Sequence, residues 1–299
     1  MKYENIESIK EYFTFLALDK SKNTLASYSS SLERFFDYLH VSSFEDMQNI
    51  APTQCREYLL HLDQSGLKIS SINAHLRPLK VIFAWLHEND HILKSPFQQI
   101  NLLKEGHREV DYLTIEESKR IIAACKRLED KAIIAVLLTT GLRREEIATL
   151  KLADYNGTHI TVIGKGNKER TLPISLEVKL LLDQYIKIRN KKHGNKYEYL
   201  FISKKCKESK LNGRFSGEAI RVKVKHALLL ADFPEDRIKN LSTHKLRHTF
   251  TSNLLSNGAD IRVVQNALGH ASINTTIRYA HMSKKEFDEA VLKNQPDLF

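Results

Sequence analysis

Apolar positions recur at helical spacing through the first hundred residues. Ile6, Ile9, Phe13 and Leu16 form one stripe, and Leu25, Tyr28, Leu32, Phe35, Phe36 and Leu39 form another. Pro52 suits the first turn of a third helix over residues 53–64, with Gly66 as its stop. A fourth apolar pattern, residues 70–89, contains Pro78, which predicts a kink or a late start. Four helices and few strand signals predict a small all-α domain over residues 1–97. Residues 95–112 hold Pro96 and Gly106 and show no clean period, so a linker is expected at 98–112. Thr114 and Glu117 then form a capping-box pattern before a new apolar run, and a second domain is expected over 113–299.

Inside that second part, residues 159–175 carry the one strong hairpin signal. Two β-branched runs flank GKGNK, whose glycines permit positive-φ turns. Helical patterns resume at 175–190 and 215–231, and again at 243–258, where Thr243 can cap and Gly258 can terminate. The expected fold is mainly α: a helical N-terminal domain and a mixed α/β C-terminal domain with a small antiparallel sheet.

Composition changes this picture little. Hydrophobic residues make up 42% of the 299 and charged residues 27%, ordinary for a globular chain. No apolar run reaches membrane-spanning length, and the acidic N-terminus is no signal peptide, so a cytoplasmic protein with no membrane partner is expected. Cys55, Cys125 and Cys206 are scattered and odd in number, which argues against a disulfide framework or a zinc knuckle.

Charge is more informative. Residues 1–105 hold 11 Lys/Arg against 13 Asp/Glu, while residues 106–299 hold 35 against 23. Such asymmetry suggests that the C-terminal part meets a polyanion. A solvated lysine surface at 189–196 and 204–210 would account for it equally well.

Four stretches can carry chemistry. On a helix, His244, Arg247 and Thr251 share one face with His248 beside them, while Leu246, Phe250 and Leu254 face a core. His244 and His248 have metal-ligand spacing, but Lys245 stands where a zinc protease needs Glu, and no further ligand cluster is evident. Arg143 precedes Glu146 by three residues, close enough for the carboxylate to hold the guanidinium as a phosphate clamp. An ordinary surface ion pair has the same spacing. Lys165, between glycines at the hairpin tip, can reach a leaving oxygen, though the segment lacks P-loop spacing. Tyr279 follows His270 by nine residues in a stretch of weak periodicity; it could be a surface phenol, a core ring or a nucleophile. Together, arginines, a lysine, histidines and a tyrosine without an acidic cage suit metal-free phosphoryl transfer at a phosphodiester.

The chain resembles the tyrosine recombinases of the phage-integrase family, and most closely their Xer branch. The resemblance rests on four ordered motifs: TGLRREEIATLKLADY, VIGKGNKERTLPI, HKLRHTFTSNLLSNGADIRVVQNALGH and TTIRYAH. It implies a SAM-like helical DNA-binding domain and a catalytic domain that together form a C-shaped clamp on duplex DNA. It further implies that Arg143 and Arg247 grip the scissile phosphate and that Lys165 protonates the departing 5′ oxygen. His244 and His270 would assist, Glu146 would orient Arg143, and Tyr279 would form a 3′-phosphotyrosyl ester. Lys22, Arg77, Lys80, Lys168 and Arg170 are the candidate DNA contacts. No metal and no other cofactor is implied.

The implied partners are a recombination site in DNA and a homo- or hetero-tetramer joined through the tail, residues 283–299, with a DNA translocase as a further candidate. Two departures stand out: Arg144 replaces a commonly small or apolar residue, and the helical domain is slightly acidic. No arm-binding domain is expected ahead of the first helix, and simple-site work such as chromosome- or plasmid-dimer resolution is therefore the expected role. A mobile-element integrase or invertase, a type IB topoisomerase-like enzyme and a non-catalytic DNA-binding accessory protein are the competing readings.

Overall fold

The structure is a computed structural model that describes residues 3, 5–106, 112–164, 168–194, 196–203, 212–269 and 284–298. The chain divides into two compact units, Met1–Arg108 and Glu109–Phe299.

Among the described residues, five helices build the first unit: α1 (Glu7–Asp19), α2 (Lys22–Leu39), α3 (Phe44–Gln48), α4 (Pro52–Gln64) and α5 (Ile69–Glu88). The expected four are present, and α3 is added. Ser43 and Asp46 explain α3, because each side chain accepts the other's backbone N–H, at 3.1 and 2.9 Å. Pro78 neither delays nor divides α5, which runs unbroken from Ile69 to Glu88 with Pro78 on its buried face. The core is aromatic. Phe35 meets Tyr58 at 5.0 Å, Phe97 at 5.2 Å and Phe83 at 6.0 Å between ring centroids, all edge to face.

Beyond residue 97 the chain stays with this unit instead of leaving it as a linker. Ile100 is buried in the same core. The buried Asn73 amide donates to the Leu103 carbonyl at 2.9 Å and accepts the Leu103 N–H at 2.9 Å, as a neighbouring strand would. A side-chain amide thus satisfies a segment that has no secondary structure of its own.

The second unit is organised around one helix. Its elements are α6 (Ile115–Ala124), α7 (Leu128–Thr140), α8 (Arg144–Thr149), β1 (His159–Ile163), β2 (Glu169–Pro173), α9 (Leu176–His193), α10 (Gly217–Leu230), α11 (Glu235–Asn240), α12 (Thr243–Ser256), α13 (Ile261–Leu268) and α14 (Lys284–Asn294). From Ala132 to Thr140 every residue of α7 is buried, the sign of a helix with neighbours on all sides. It packs against α6, α9, α10 and α12. The expected hairpin is present and antiparallel, pairing His159 with Pro173 and Ile163 with Glu169. At its tip the Gly164 N–H donates to the Lys168 carbonyl at 2.8 Å. The cap of α12 falls on Ser242, one residue before the expected Thr243, which is itself buried in the first turn.

The tail packs on its own domain. α14 lies against α12, α13 and β2, with Val291 and Leu298 buried. The Gln295 amide donates to the carbonyls of Thr139 at 2.9 Å and Pro173 at 3.1 Å. Asp288 pairs with His159 of β1 at 2.9 Å.

Candidate active site

The loop between α7 and α8 is fixed from both ends. Gly141 closes α7 in the left-handed region (φ 60°), which a residue with a Cβ adopts only with strain. A Cβ there would also lie 2.4 Å from the Phe250 ring of α12. Three residues earlier on the same helix, the Arg247 guanidinium donates from Nη1 to the Gly141 carbonyl at 2.6 Å. Its Nη2 donates to the Leu268 carbonyl at the end of α13, also at 2.6 Å. Arg247 therefore staples the α7–α8 loop to the end of α13, and does so from inside: it is only 7% exposed. On a helix face that reads as polar in the sequence, Arg247 is covered while His244 stays exposed. Burial pushes Arg247 down to about 10, helped by the positive charges of Arg143 and Arg170, so it remains a cation at neutral pH.

Arg143 is the N-cap of α8. Its backbone N–H donates to Glu146 Oε2 at 2.7 Å and its Nη1 donates to Oε1 at 2.9 Å. The expected i, i+3 pair is present, and it is more than a surface pair because Glu146 is buried. The Arg143 side chain keeps a third of its surface open, so its remaining donors can reach an incoming anion.

Sequence reasoning missed a second guanidinium on the same carboxylate. Arg170 of β2 donates from Nη1 to Glu146 Oε1 at 3.0 Å and from Nη2 to Oε2 at 2.7 Å. Burial alone would raise the Glu146 carboxyl. The hydrogen bonds from Arg170 and Arg143 outweigh it and hold the group down to about 2. Arg170, grouped by sequence with the DNA contacts, thus points its charge inward. No local signal marks this inward turn: exposure along β2 falls from Glu169 to Pro173 instead of alternating.

His244 lies one helical turn before Arg247. Its ring keeps an exposed edge, yet partial desolvation and then the charges of Arg247, Arg143 and Arg144 lower its pKa from the ordinary histidine value, which favours the neutral ring. His248 is lowered by burial and by Lys245, with its ring centroid 6.1 Å from that of His244. Arg144 stays exposed beside Glu145. Three guanidinium groups around one carboxylate leave a local excess of two positive charges, suited to an anionic oxygen.

Lys165, His270 and Tyr279 lie outside the described residues. The described chain runs up to Gly164 on the hairpin and Gly269 after α13, and each of these glycines abuts Arg170. In the first unit Lys22 is exposed, while Arg77 is exposed and 3.7 Å from Glu105. Lys80 turns inward instead: its ammonium donates to the Phe97 carbonyl at 3.0 Å and to that of Ile100. It holds the end of its own unit, leaving Lys22 and Arg77 as the open cations of that set. Lys168 is exposed. Among the described residues no cluster of three or more His, Cys, Asp or Glu could hold a metal ion, and no helix is long and apolar enough to cross a membrane.

The model of the phage integrase family matches residues 111–286, and that of the phage integrase N-terminal SAM-like domain matches residues 9–89. The chain belongs to the phage integrase family. Among relatives of this integrase chain is the tyrosine recombinase XerD of Rickettsia conorii, 32% identical over 92% of this chain and 93% of that protein. The tyrosine recombinase XerA of Pyrococcus horikoshii is 31% identical, covering 97% of this chain and 94% of that one. A lambda integrase tetramer bound to a Holliday junction shares the fold, with a TM-score of 0.70 at 18% identity over 89% of this chain and 74% of that one. The integrase is thus a tyrosine recombinase of the Xer type, a DNA strand-transferring enzyme.

Proposed function

We propose that this chain is a site-specific recombinase that cuts and rejoins duplex DNA through Tyr279. The observation that carries the proposal is the fixed arginine pair: buried Arg247 held by two carbonyls and half-open Arg143 held by Glu146, each feeling the charge of the other. Such prepaid order suits the stabilisation of negative charge as phosphorus becomes pentavalent.

In the proposed reaction the Tyr279 phenol oxygen attacks the scissile phosphorus and the bond to the 5′ oxygen breaks. Neutral His244 accepts the phenol proton, and Lys165 returns a proton to the departing 5′ hydroxyl. His270 adds a hydrogen bond to the phosphate. A 5′ hydroxyl from the partner duplex then attacks the 3′-phosphotyrosyl ester and restores both diester and phenol. Each step exchanges one phosphoester for another, so the reaction needs no nucleotide. The guanidinium groups carry the charge that a metal would otherwise meet. Two such exchanges, separated by a Holliday junction, complete recombination.

By kinship with XerD and XerA, we assign the biological role to resolution of chromosome or plasmid dimers by four protomers on two sites, homo- or heteromeric. Exchange of the tail between protomers would require α14 to leave the acceptors that Gln295 now uses in its own domain.

Tyr279→Phe tests the proposal. On a suicide substrate nicked near the cleavage point, the variant should bind DNA like the parent and form no covalent adduct in denaturing electrophoresis. An adduct in the variant would remove Tyr279 as the nucleophile.

A further inference from the structure

Arg170 stands at the middle of the arrangement without belonging to any of the chemical steps. Its side chain is 9% exposed and issues from β2. The two Nη atoms take both oxygens of Glu146, and Nε donates to the Ala267 carbonyl in the last turn of α13 at 3.0 Å. Arg170 and Arg143 share Oε1, so the carboxylate that orients Arg143 is itself oriented by Arg170.

Two glycines show how closely the chain is folded over this guanidinium. A Cβ at Gly164 would lie 3.2 Å from Arg170 Nη1, and one at Gly269, whose φ is 62°, would lie 3.2 Å from Arg170 Cδ. Three segments therefore meet at one planar group: the start of α8, the rising arm of the hairpin and the end of α13. Only a planar fork can satisfy both oxygens of a carboxylate and a carbonyl at its flank. A lysine ammonium at that place has no such geometry.

We propose that Arg170 is a positioning residue of the active site, acting through Glu146 to hold Arg143 and tying the hairpin to the end of α13, and that it makes no contact with DNA. The inference rests on the reading that Arg143 grips the scissile phosphate. Without Arg170, Glu146 keeps a single guanidinium partner in a buried place, and the Ala267 carbonyl loses its donor. Among the described residues, Arg143 at the start of the same helix, Arg170 from β2 and Arg247 from α12 are the cations that act on Glu146, and Lys151, Asp154 and Glu169 line the cavity beside it. With Arg170 removed, burial is less strongly opposed and the carboxyl titrates at higher pH than in the parent.

The test uses the full chain and the nicked suicide substrate, with single-turnover adduct formation, DNA affinity across a salt series and melting followed together. Arg170→Ala should slow adduct formation by roughly 10- to 100-fold, the scale of losing an orienting group. Affinity should stay within about twofold, with the salt slope unchanged. With melting showing the variant folded, unchanged affinity beside slowed chemistry separates a positioning role from a lost fold. Arg170→Lys should restore the charge without restoring the rate. If the alanine variant does not fold, Arg170→Gln, which preserves most of the volume and one donor, takes its place with the same expectations.

Parental cleavage by Arg170→Ala or Arg170→Gln would overturn the inference. So would a salt slope smaller by about 0.9 with chemistry in the bound complex intact, the mark of one lost phosphate contact. Arg143→Ala is the control for the underlying reading. If it cleaves at the parental rate, the phosphate clamp is misassigned. If it is inactive while both Arg170 variants cleave normally, only the positioning role falls.

Discussion

In the first unit, Phe35, Phe36, Tyr58, Phe83 and Phe97 meet edge to face or tilted in an interior with no buried ion pair among the described residues. The second unit has a larger aliphatic core around α7, yet it draws Arg247, Arg170 and Glu146 inside, together with Thr139, Thr140 and Thr249. Buried ions contribute less to stability than well-packed apolar groups of the same volume, and breaking one partner away is costly. Their presence on one side alone marks where the molecule needs fixed charge. The aromatic core is a matter of packing, whereas the charged one trades stability for placement.

The largest effect expected from this contrast is Phe35→Ala. A fully buried ring removed from an aromatic cluster should cost about 3–5 kcal/mol. Trp85, the single tryptophan, packs on the first unit's core and reports its unfolding by fluorescence. Hydrogen exchange of α7 amides should be unaffected; a parallel loss of protection there would break the contrast by showing one cooperative core.

Arg247→Ala comes next. It should lower the rate of adduct formation by roughly 100- to 1000-fold, the range for a lost donor to developing negative charge. Adduct formation at the parental rate would mean that this buried cation serves structure alone. Gly141→Ala should cost about 1–3 kcal/mol, since the new Cβ meets Phe250 at 2.4 Å. Thermal melting checks this, and Phe250→Leu in the same chain should recover part of the loss if ring contact is the cause.

The smallest effect is a pH dependence. Folding lowers the Glu146 pKa from 4.5 to about 2, so its contribution is complete above 4.5 and is lost as pH falls from there towards 2. His244 and His248 are also lowered from 6.5. The unfolded chain therefore takes up their protons first, and stability begins to fall once pH drops below 6.5. Denaturant titrations followed by exchange of α12 amides should show stability decreasing in that direction; an increase on acidification would reverse the sign assigned to the histidines.

Local signals were readable wherever one residue's own neighbours in sequence determined the outcome. The capping box at Thr114, Pro52 at the head of α4, the hairpin and the Arg143–Glu146 pair all act within a few residues. What could not be read depends on partners distant in the chain. Arg170 looks like any strand cation until Glu146, 24 residues earlier, is brought to it. Lys80 looks like an open cation until Phe97 and Ile100 fold over it. Asn73 gave no sign that it would hold Leu103, and so the first unit extends further than periodicity suggested. The short α3 escaped because five residues display little more than one turn of pattern.

The shared carboxylate of Glu146 has a consequence for how this chain can change by mutation. Arg143 and Glu146 lie three codons apart and Arg170 comes 24 codons after Glu146, yet the three form one heritable unit, because each substitution alters what the other two must satisfy. Once Arg170 is lost, a later change at Glu146 to a neutral residue removes a poorly partnered charge, so a step harmful in the parent becomes mild or even helpful. Lineages that drift at one of these positions should carry matching changes at the others. A library that varies the three codons together will reach functional combinations closed to one-at-a-time substitution.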